Sequence, residues 1–135
     1  MILLTGATGL AGSFVAQEFV RTQQRVRILV RNRAKVVHLA STPTVDIVEG
    51  DMSEKGSLRA ALEGVARVLM ISGPDPQMVE KQCTFVDGCK EAGVRHVIKF
   101  SGLDRAEPGS IVALVGVLVS SPYPLGRILL ILLGG

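Results

Sequence analysis

Met1-Ile2-Leu3-Leu4-Thr5-Gly6-Ala7-Thr8-Gly9-Leu10-Ala11-Gly12, or MILLTGATGLAG, is the stretch whose reading decides the fold of this chain. The apolar run Ile2, Leu3, Leu4 stops at Thr5, glycines follow at 6, 9 and 12, and an apolar helical pattern then begins. Strand, glycine turn and helix follow one another directly. Gly6 can take backbone angles that a Cβ would forbid. Gly9 lets the backbone come close to a ligand, and Gly12 lets the new helix pack tightly on the strand. The first N–H groups of that helix, around Leu10, Ala11 and Gly12, have no helical acceptor, and the helix dipole favours an anion beside them. The segment, with Thr8 counted among its residues, is therefore expected to grip the diphosphate of a dinucleotide. Its spacing is G-x-x-G-x-x-G rather than the commoner G-x-G-x-x-G.

The rest of the chain alternates. Phe14, Val15 and Phe19 form the expected inner stripe of the first helix. Arg25 to Val30 reads as a strand near a sheet edge, and Arg33 to Ala40 as a short helix stopped before Pro43. Val45 to Val48 is a third strand, after which Ser53 offers an N-cap to a helix with Leu58, Ala61 and Leu62 facing inward, closed by Gly64. Val65 to Ile71 reads as an apolar strand interrupted by Arg67. A long helix follows with Met78, Val79, Gln82, Phe85, Val86 and Cys89 as its stripe, ended by Gly93. Arg95 to Phe100 is a fifth strand, ending at Ser101-Gly102. Strands alternating with helices predict an α/β domain with a doubly wound parallel sheet, and right-handed crossovers fix the order 3-2-1-4-5. Gly6, Arg31, Asp51, Ser72 and Ser101 all fall at the C-terminal ends of strands, the edge where such sheets bind ligands.

With 135 residues, 47% hydrophobic and 20% charged, the chain is long enough for one globular domain, taken as 1–135. Its formal charge of +3 is mild and its basic residues are scattered, apart from a cluster at Arg31 to Lys35, so no nucleic-acid partner is expected. Neither histidine has neighbours that would complete a metal site. Cys83 and Cys89 lie six apart on one predicted helix, pointing in different directions, and are expected as free thiols of a reducing compartment. No charged leader precedes the first strand, and a cytoplasmic location is expected.

TGATGLAG, VRNRAK, VEGDMSEKGSLRAALEGVARVLMISGP and AGVRHVIKFSGLD together resemble the N-terminal half of the atypical short-chain dehydrogenases, specifically the NmrA-like NAD(P)-binding proteins. The likeness covers about residues 1–104. It implies a Rossmann fold and bound NADP(H) or NAD(H), in a group that includes quinone- and alkene-type reductases, isomerases, and redox sensors that bind the cofactor without turning it over. It also implies that Asp51 and Met52 clamp the adenine, that Ser72 and Gly73 lie under the nicotinamide ribose, and that Ser101 stands near nicotinamide or substrate, a weak catalytic candidate. For Asp51 a helix cap, and for Ser101 a loop hydroxyl bonded to backbone, are the competing readings.

The residues themselves speak to which cofactor. Where an acid about twenty positions past the glycines would take the ribose 2′-hydroxyl of NAD, this chain has Arg31, followed by Arg33 and Lys35. A guanidinium can fork onto a 2′-phosphate. NADP(H) is therefore the expected cofactor, with NAD(H) the alternative. The acceptor is a small molecule that the sequence does not name.

The proton donor of standard short-chain dehydrogenases is a tyrosine with a lysine four residues on. The single tyrosine here, Tyr123, lies between Pro122 and Pro124 and has Arg127 in the fourth place, so that pair is absent. From Ile111 onward Arg127 is the one charge in twenty-five residues. The apolar tail, 105–135, departs from the family pattern, in which a substrate-binding region follows; here that region is truncated or absent. One reading has Ser110 capping a covering helix and Arg127 to Leu133 forming a sixth parallel strand. A second makes the tail foreign to the fold. A third, membrane contact through 111–133, ranks lowest because a spanning helix needs about twenty apolar residues. Left uncovered, such a tail would drive self-association.

Overall fold

The computed structural model describes residues 1–72, 76–103 and 128–134. Six parallel strands form one sheet in the order β3-β2-β1-β4-β5-β6. They are β1 (Ile2–Leu4), β2 (Val26–Val30), β3 (Val45–Glu49), β4 (Arg67–Ile71), β5 (His96–Leu103) and β6 (Ile128–Gly134). Helices α1 (Leu10–Arg21), α2 (Lys55–Ala61) and α3 (Met78–Glu91), with a 3-10 helix at Arg33–Leu39, supply the connections described. The expected doubly wound sheet is present. Its sixth strand begins at Ile128, and the expected covering helix, Tyr123 and Arg127 lie outside the described residues.

Successive residues of a buried strand face opposite sides, and here each side has its own core. Leu3, Leu29, Val68, Met70 and Val97 face α2 and α3, meeting Leu58, Leu62, Phe85, Val86 and Cys89. Leu4, Val26, Ile28, Val30, Ile47 and Ile71 face α1 and the 3-10 helix, meeting Ala16, Val36 and Leu39. Arg27 closes the far end of α2: its Nη1 donates to the carbonyls of Ala61 (2.9 Å) and Glu63 (2.6 Å), and its Nε to Asp46 Oδ2 (2.7 Å). A cation is favoured at a helix C-terminus by the helix dipole.

Two local expectations are corrected. Phe14 is not an inner residue of α1; it is 63% exposed, while Gly12 and Ala16 are the buried positions and Val15, Phe19 and Val20 are half-buried. The contact at Gly12 described below sets the helix phase, and Phe14, two residues on, points about 200° away. Ser53 is not the N-cap of α2, which starts at Lys55 behind Glu54. Both its backbone N–H and its hydroxyl donate to Asp51 Oδ1, at 2.8 and 2.7 Å.

Where the chain order reverses, between β1 and β4, Thr5 fastens the two strand ends. Its buried hydroxyl donates to the Ile71 carbonyl (2.8 Å) and accepts from the Ile71 N–H (2.9 Å). Thr5→Val keeps the shape and removes both bonds, leaving the Ile71 N–H and C=O without that partner. Each buried orphan costs about 1–3 kcal/mol, so denaturant melts are expected to show a loss of about 2 kcal/mol or more. An unchanged midpoint would show that the clamp contributes nothing.

Candidate functional site

The end of β1 and the start of α1 form a turn held by the protein itself at two glycines and left open at the third. Gly6 has φ +72°, and a Cβ on it would strike the Ile71 carbonyl at the end of β4. A Cβ on Gly12 would fall on the Gly6 carbonyl, so helix and turn touch backbone to backbone. Gly9 differs. Its backbone is extended (φ −83°, ψ 174°), and the nearest atom to a Cβ there would be the Gly6 carbonyl oxygen at 3.5 Å, ordinary contact. Neither its backbone angles nor packing against the described residues requires glycine at position 9.

Hydrogen bonds complete the turn. The Gly9 N–H donates to the Gly6 carbonyl (3.1 Å), and the Gly9 carbonyl accepts from Ser13 N–H (2.9 Å). Among the described residues, the N–H groups of Leu10, Ala11 and Gly12 meet no backbone acceptor, and the N-cap glycine has no side chain to cap them. Ala7 and Gly12 are buried, Ala11 is half-buried, and Thr8, Gly9 and Leu10 are exposed. An exposed glycine backed by uncapped N–H groups is the arrangement that takes an anionic oxygen.

One cleft borders the turn and a second opens at the ends of β2 and β3. The first, of about 230 Å³, lies between α1 and the 3-10 helix and is lined by Thr8, Ser13, Gln17, Lys35 and His38 over an apolar floor that includes Ala7. The second, of about 300 Å³, is lined by Arg31, Glu49, Gly50, Asp51 and Glu54. Arg31 is exposed, and its guanidinium has no hydrogen-bond or ion-pair partner among the described residues. Arg33, expected beside it as a ligand, is engaged elsewhere: its Nη2 donates to the Ile47 carbonyl (2.9 Å) and its backbone N–H to Glu49 Oε1 (3.0 Å). Lys35 is carried on the 3-10 helix, which Asn32 caps by accepting from Ala34 N–H at 3.0 Å.

Asp51 is not the cap of α2, whose N-cap is Glu54 without a side-chain bond, because its carboxylate is taken by Ser53 ahead of the helix. It lines the second cleft, and it also orders the turn into α2 through Ser53. The Ser53 hydroxyl, and then the Ser53 N–H, hold its carboxyl below the ordinary value, with the charges of Arg31 and Lys81 adding to the effect. Met52 is half-buried and packs on the core formed with α2 and α3.

At the end of β4, Ser72 is half-buried and accepts from Gln82 Nε2 of α3 at 2.5 Å. Gln82 Oε1 in turn accepts from Lys99 Nζ of β5 at 2.8 Å. Gln82 and Lys99 are 2% and 4% exposed, which makes a lysine and an amide part of the core. Burial pushes the Lys99 amine below its ordinary value, with the neighbouring Cys83 pulling the other way. Gly73 lies outside the described residues. Ser101 is within β5, which continues past the expected end to Leu103, and it pairs in register with Leu132 of β6.

Thus the fold gathers Gly6, Thr8, Gly9, Leu10, Ala11, Gly12, Lys35, Arg31, Asp51 and Ser72 along one sheet edge, where Arg33 donates to β3 and the half-buried Met52, next to Asp51, leans on the core. Sequence reasoning missed Ser13 and Gln17, which follow Gly9 at four-residue steps on one face of α1. It also missed Lys99, whose signal was its parity with buried Val97 inside an apolar strand. Cys89 is buried and its thiol is pushed up to about 12; both cysteines are free. Among the described residues there is no cluster able to hold a metal ion and no helix long and apolar enough to cross a membrane.

Comparison with known proteins points one way. The model of the NmrA-like family matches residues 1–113. The NAD(P)H azoreductase of Xenophilus azovorans is 31% identical over 127 residues, which are 94% of this chain and 40% of that protein. Quinone oxidoreductase 2 of Escherichia coli (strain K12) is 32% identical over 100 residues, 72% of this chain and 35% of the relative. Among solved structures, the NADPH-dependent quinone oxidoreductase of Escherichia coli complexed with NADPH matches 98% of this chain and 47% of its own, with a TM-score of 0.80 and 26% identity. Citrobacter sp. triphenylmethane reductase complexed with NADP(H) matches 88% and 45%, with a TM-score of 0.71 and 26% identity. The chain therefore spans less than half the length of each of these proteins.

Proposed function

This chain belongs to the NmrA-like family, and from that premise we propose that it binds NADP(H) along the Gly6–Gly12 turn and serves an oxidoreductase that reduces a small acceptor such as a quinone. The observation that carries the proposal is Gly9, a glycine that packing against the described residues does not require, exposed beside uncapped N–H groups. The residues present fit the cofactor. The Leu10, Ala11 and Gly12 N–H groups would hold the diphosphate, and Gly9 would give it access. Arg31 and Lys35 would hold the 2′-phosphate, making NADP(H) the preferred form and NAD(H) the weaker one. Asp51 would accept from the adenine amine, with Met52 beside the ring, and Ser72 would meet the nicotinamide ribose. When bound, NADPH supplies the hydride; the chain orients it and sets what can approach.

The proposal places the protein in the cytoplasm, consistent with its two free thiols, and gives it neither a nucleic-acid nor a membrane partner. A second reading, a non-catalytic NAD(P)-binding sensor or a truncated binding module, is favoured by one feature: the single tyrosine of these 135 residues, Tyr123, lies between prolines with Arg127 in the lysine's place and so does not form the usual tyrosine–lysine pair. Calorimetric titration with NADPH and NADH, followed by stopped-flow oxidation of NADPH with a panel of quinones, tests both. NADPH binding with quinone-dependent oxidation is the expected result. Binding without turnover supports the second reading, and failure to bind either nucleotide removes both.

A further inference from the structure

We propose that the buried Lys99–Gln82 pair fixes the Ser72 hydroxyl as a hydrogen-bond donor to an oxygen on the nicotinamide-ribose half of the bound dinucleotide. The inference rests on the cofactor reading above and assigns positioning roles to two residues that lie beneath the site. The argument begins with the sense of each hydrogen bond. A lysine ammonium can only donate. The atom of Gln82 facing Lys99 Nζ at 2.8 Å is therefore its oxygen, and its NH2 is left facing Ser72. Ser72 Oγ is thereby made an acceptor from Gln82, and its own proton remains to be donated. No described residue accepts it. Without Lys99 the amide could turn over, present its oxygen to Ser72 and take that proton instead.

Placement supports the same conclusion. Lys99 pairs in register with Met70, and the core on that face includes Phe85 and Val86 of α3. None of the ion pairs among the described residues includes Lys99. A buried amine without a carboxylate partner costs stability, and an apolar residue at this position would pack without that cost. Ser72, the outer end of the chain of bonds, directly follows Ile71, whose carbonyl abuts Gly6. The hydroxyl thus stands at the junction of β1 and β4, where open α/β sheets bind their ligands. Arg31 and the second cleft lie at the ends of β2 and β3, on the other side of β1.

The test separates the two halves of the cofactor. Adenosine 2′,5′-bisphosphate carries the adenine and 2′-phosphate but no nicotinamide. Calorimetry with NADPH and with this bisphosphate is run on wild type, Ser72→Ala, the double variant Gln82→Leu/Lys99→Met, and the triple combination. The double variant replaces both buried partners by apolar groups, a change that is often near neutral for stability, and thermal melts check that it folds. Ser72→Ala and the double variant are each expected to weaken NADPH about tenfold with bisphosphate affinity unchanged. The triple variant should be no weaker than Ser72→Ala alone, because the pair acts through Ser72. Additive losses, equal loss of the bisphosphate, unchanged NADPH affinity, or a double variant that does not fold overturns the assignment while leaving the cofactor reading intact. A wild-type chain that binds neither probe overturns both.

Discussion

A Gly9→Ala chain is expected to melt close to wild type and yet bind NADPH at least tenfold more weakly. The backbone at residue 9 is extended and its Cβ would meet only ordinary contact, so the fold has nothing to resist. Two small stability effects also oppose each other. Alanine lowers the entropy of the unfolded chain, worth about 0.4–1 kcal/mol, and it is a poorer N-cap than glycine by a similar amount. The added methyl would stand where the diphosphate must approach the N–H groups, and each 1.4 kcal/mol lost there is about a factor of ten. Gly12→Ala is the contrasting case. Its Cβ would collide with the Gly6 carbonyl, a backbone group that cannot swing aside. Stability should fall by about 1–3 kcal/mol or more, with binding lost alongside. Urea melts and calorimetry on the two variants distinguish ligand from fold. Wild-type affinity in Gly9→Ala would mean the diphosphate does not lie over this turn.

Arg31→Asp is expected to reverse the preference between the two nucleotides. Arg31 lines its cleft with Glu49, Asp51 and Glu54, and its guanidinium is uncommitted among the described residues. One charge-assisted contact is worth about 1.5–3 kcal/mol, so NADPH should weaken about ten- to a hundredfold. Aspartate would leave the cleft wholly acidic, repelling a 2′-phosphate while offering an acceptor to the 2′-hydroxyl of NADH. NADH affinity should therefore hold or improve. Parallel titrations of wild type and variant decide it, and equal affinities for the two nucleotides in both proteins would remove Arg31 from the phosphate site.

Much of this was legible in the residues because the fold is written in coarse patterns. Ile2 to Leu4 and Val65 to Ile71 read as strands by their largely apolar runs, Arg25 to Val30 by its alternation, and the glycine turn placed β1 within the sheet between β2 and β4. What was not legible depends on contacts between backbones or between distant side chains. Phe14 looked like a core residue because it is large and apolar, whereas the phase of α1 is set by Gly12, which has no side chain to score. Arg31 and Arg33 look alike on paper; only the position of the Ile47 carbonyl shows that Arg33 is tied to β3. Ser53 and Asp51 both read as caps of α2 on paper; neither is, because the carboxylate takes both donors of Ser53 and Glu54 stands at the N-cap. Lys99 and Gln82 are seventeen residues apart and meet only because α3 packs across β5.

The Gly6 carbonyl accepts the N–H of Gly9 and at the same time forms the surface on which Gly12 rests. A single oxygen thereby ties the loop's entry, its middle and the first turn of α1 into one stiff piece. A stiff receptor has little left to rearrange when its ligand arrives. Variants at its rim should therefore be told apart by how long the nucleotide stays, with the speed of its arrival almost unaltered.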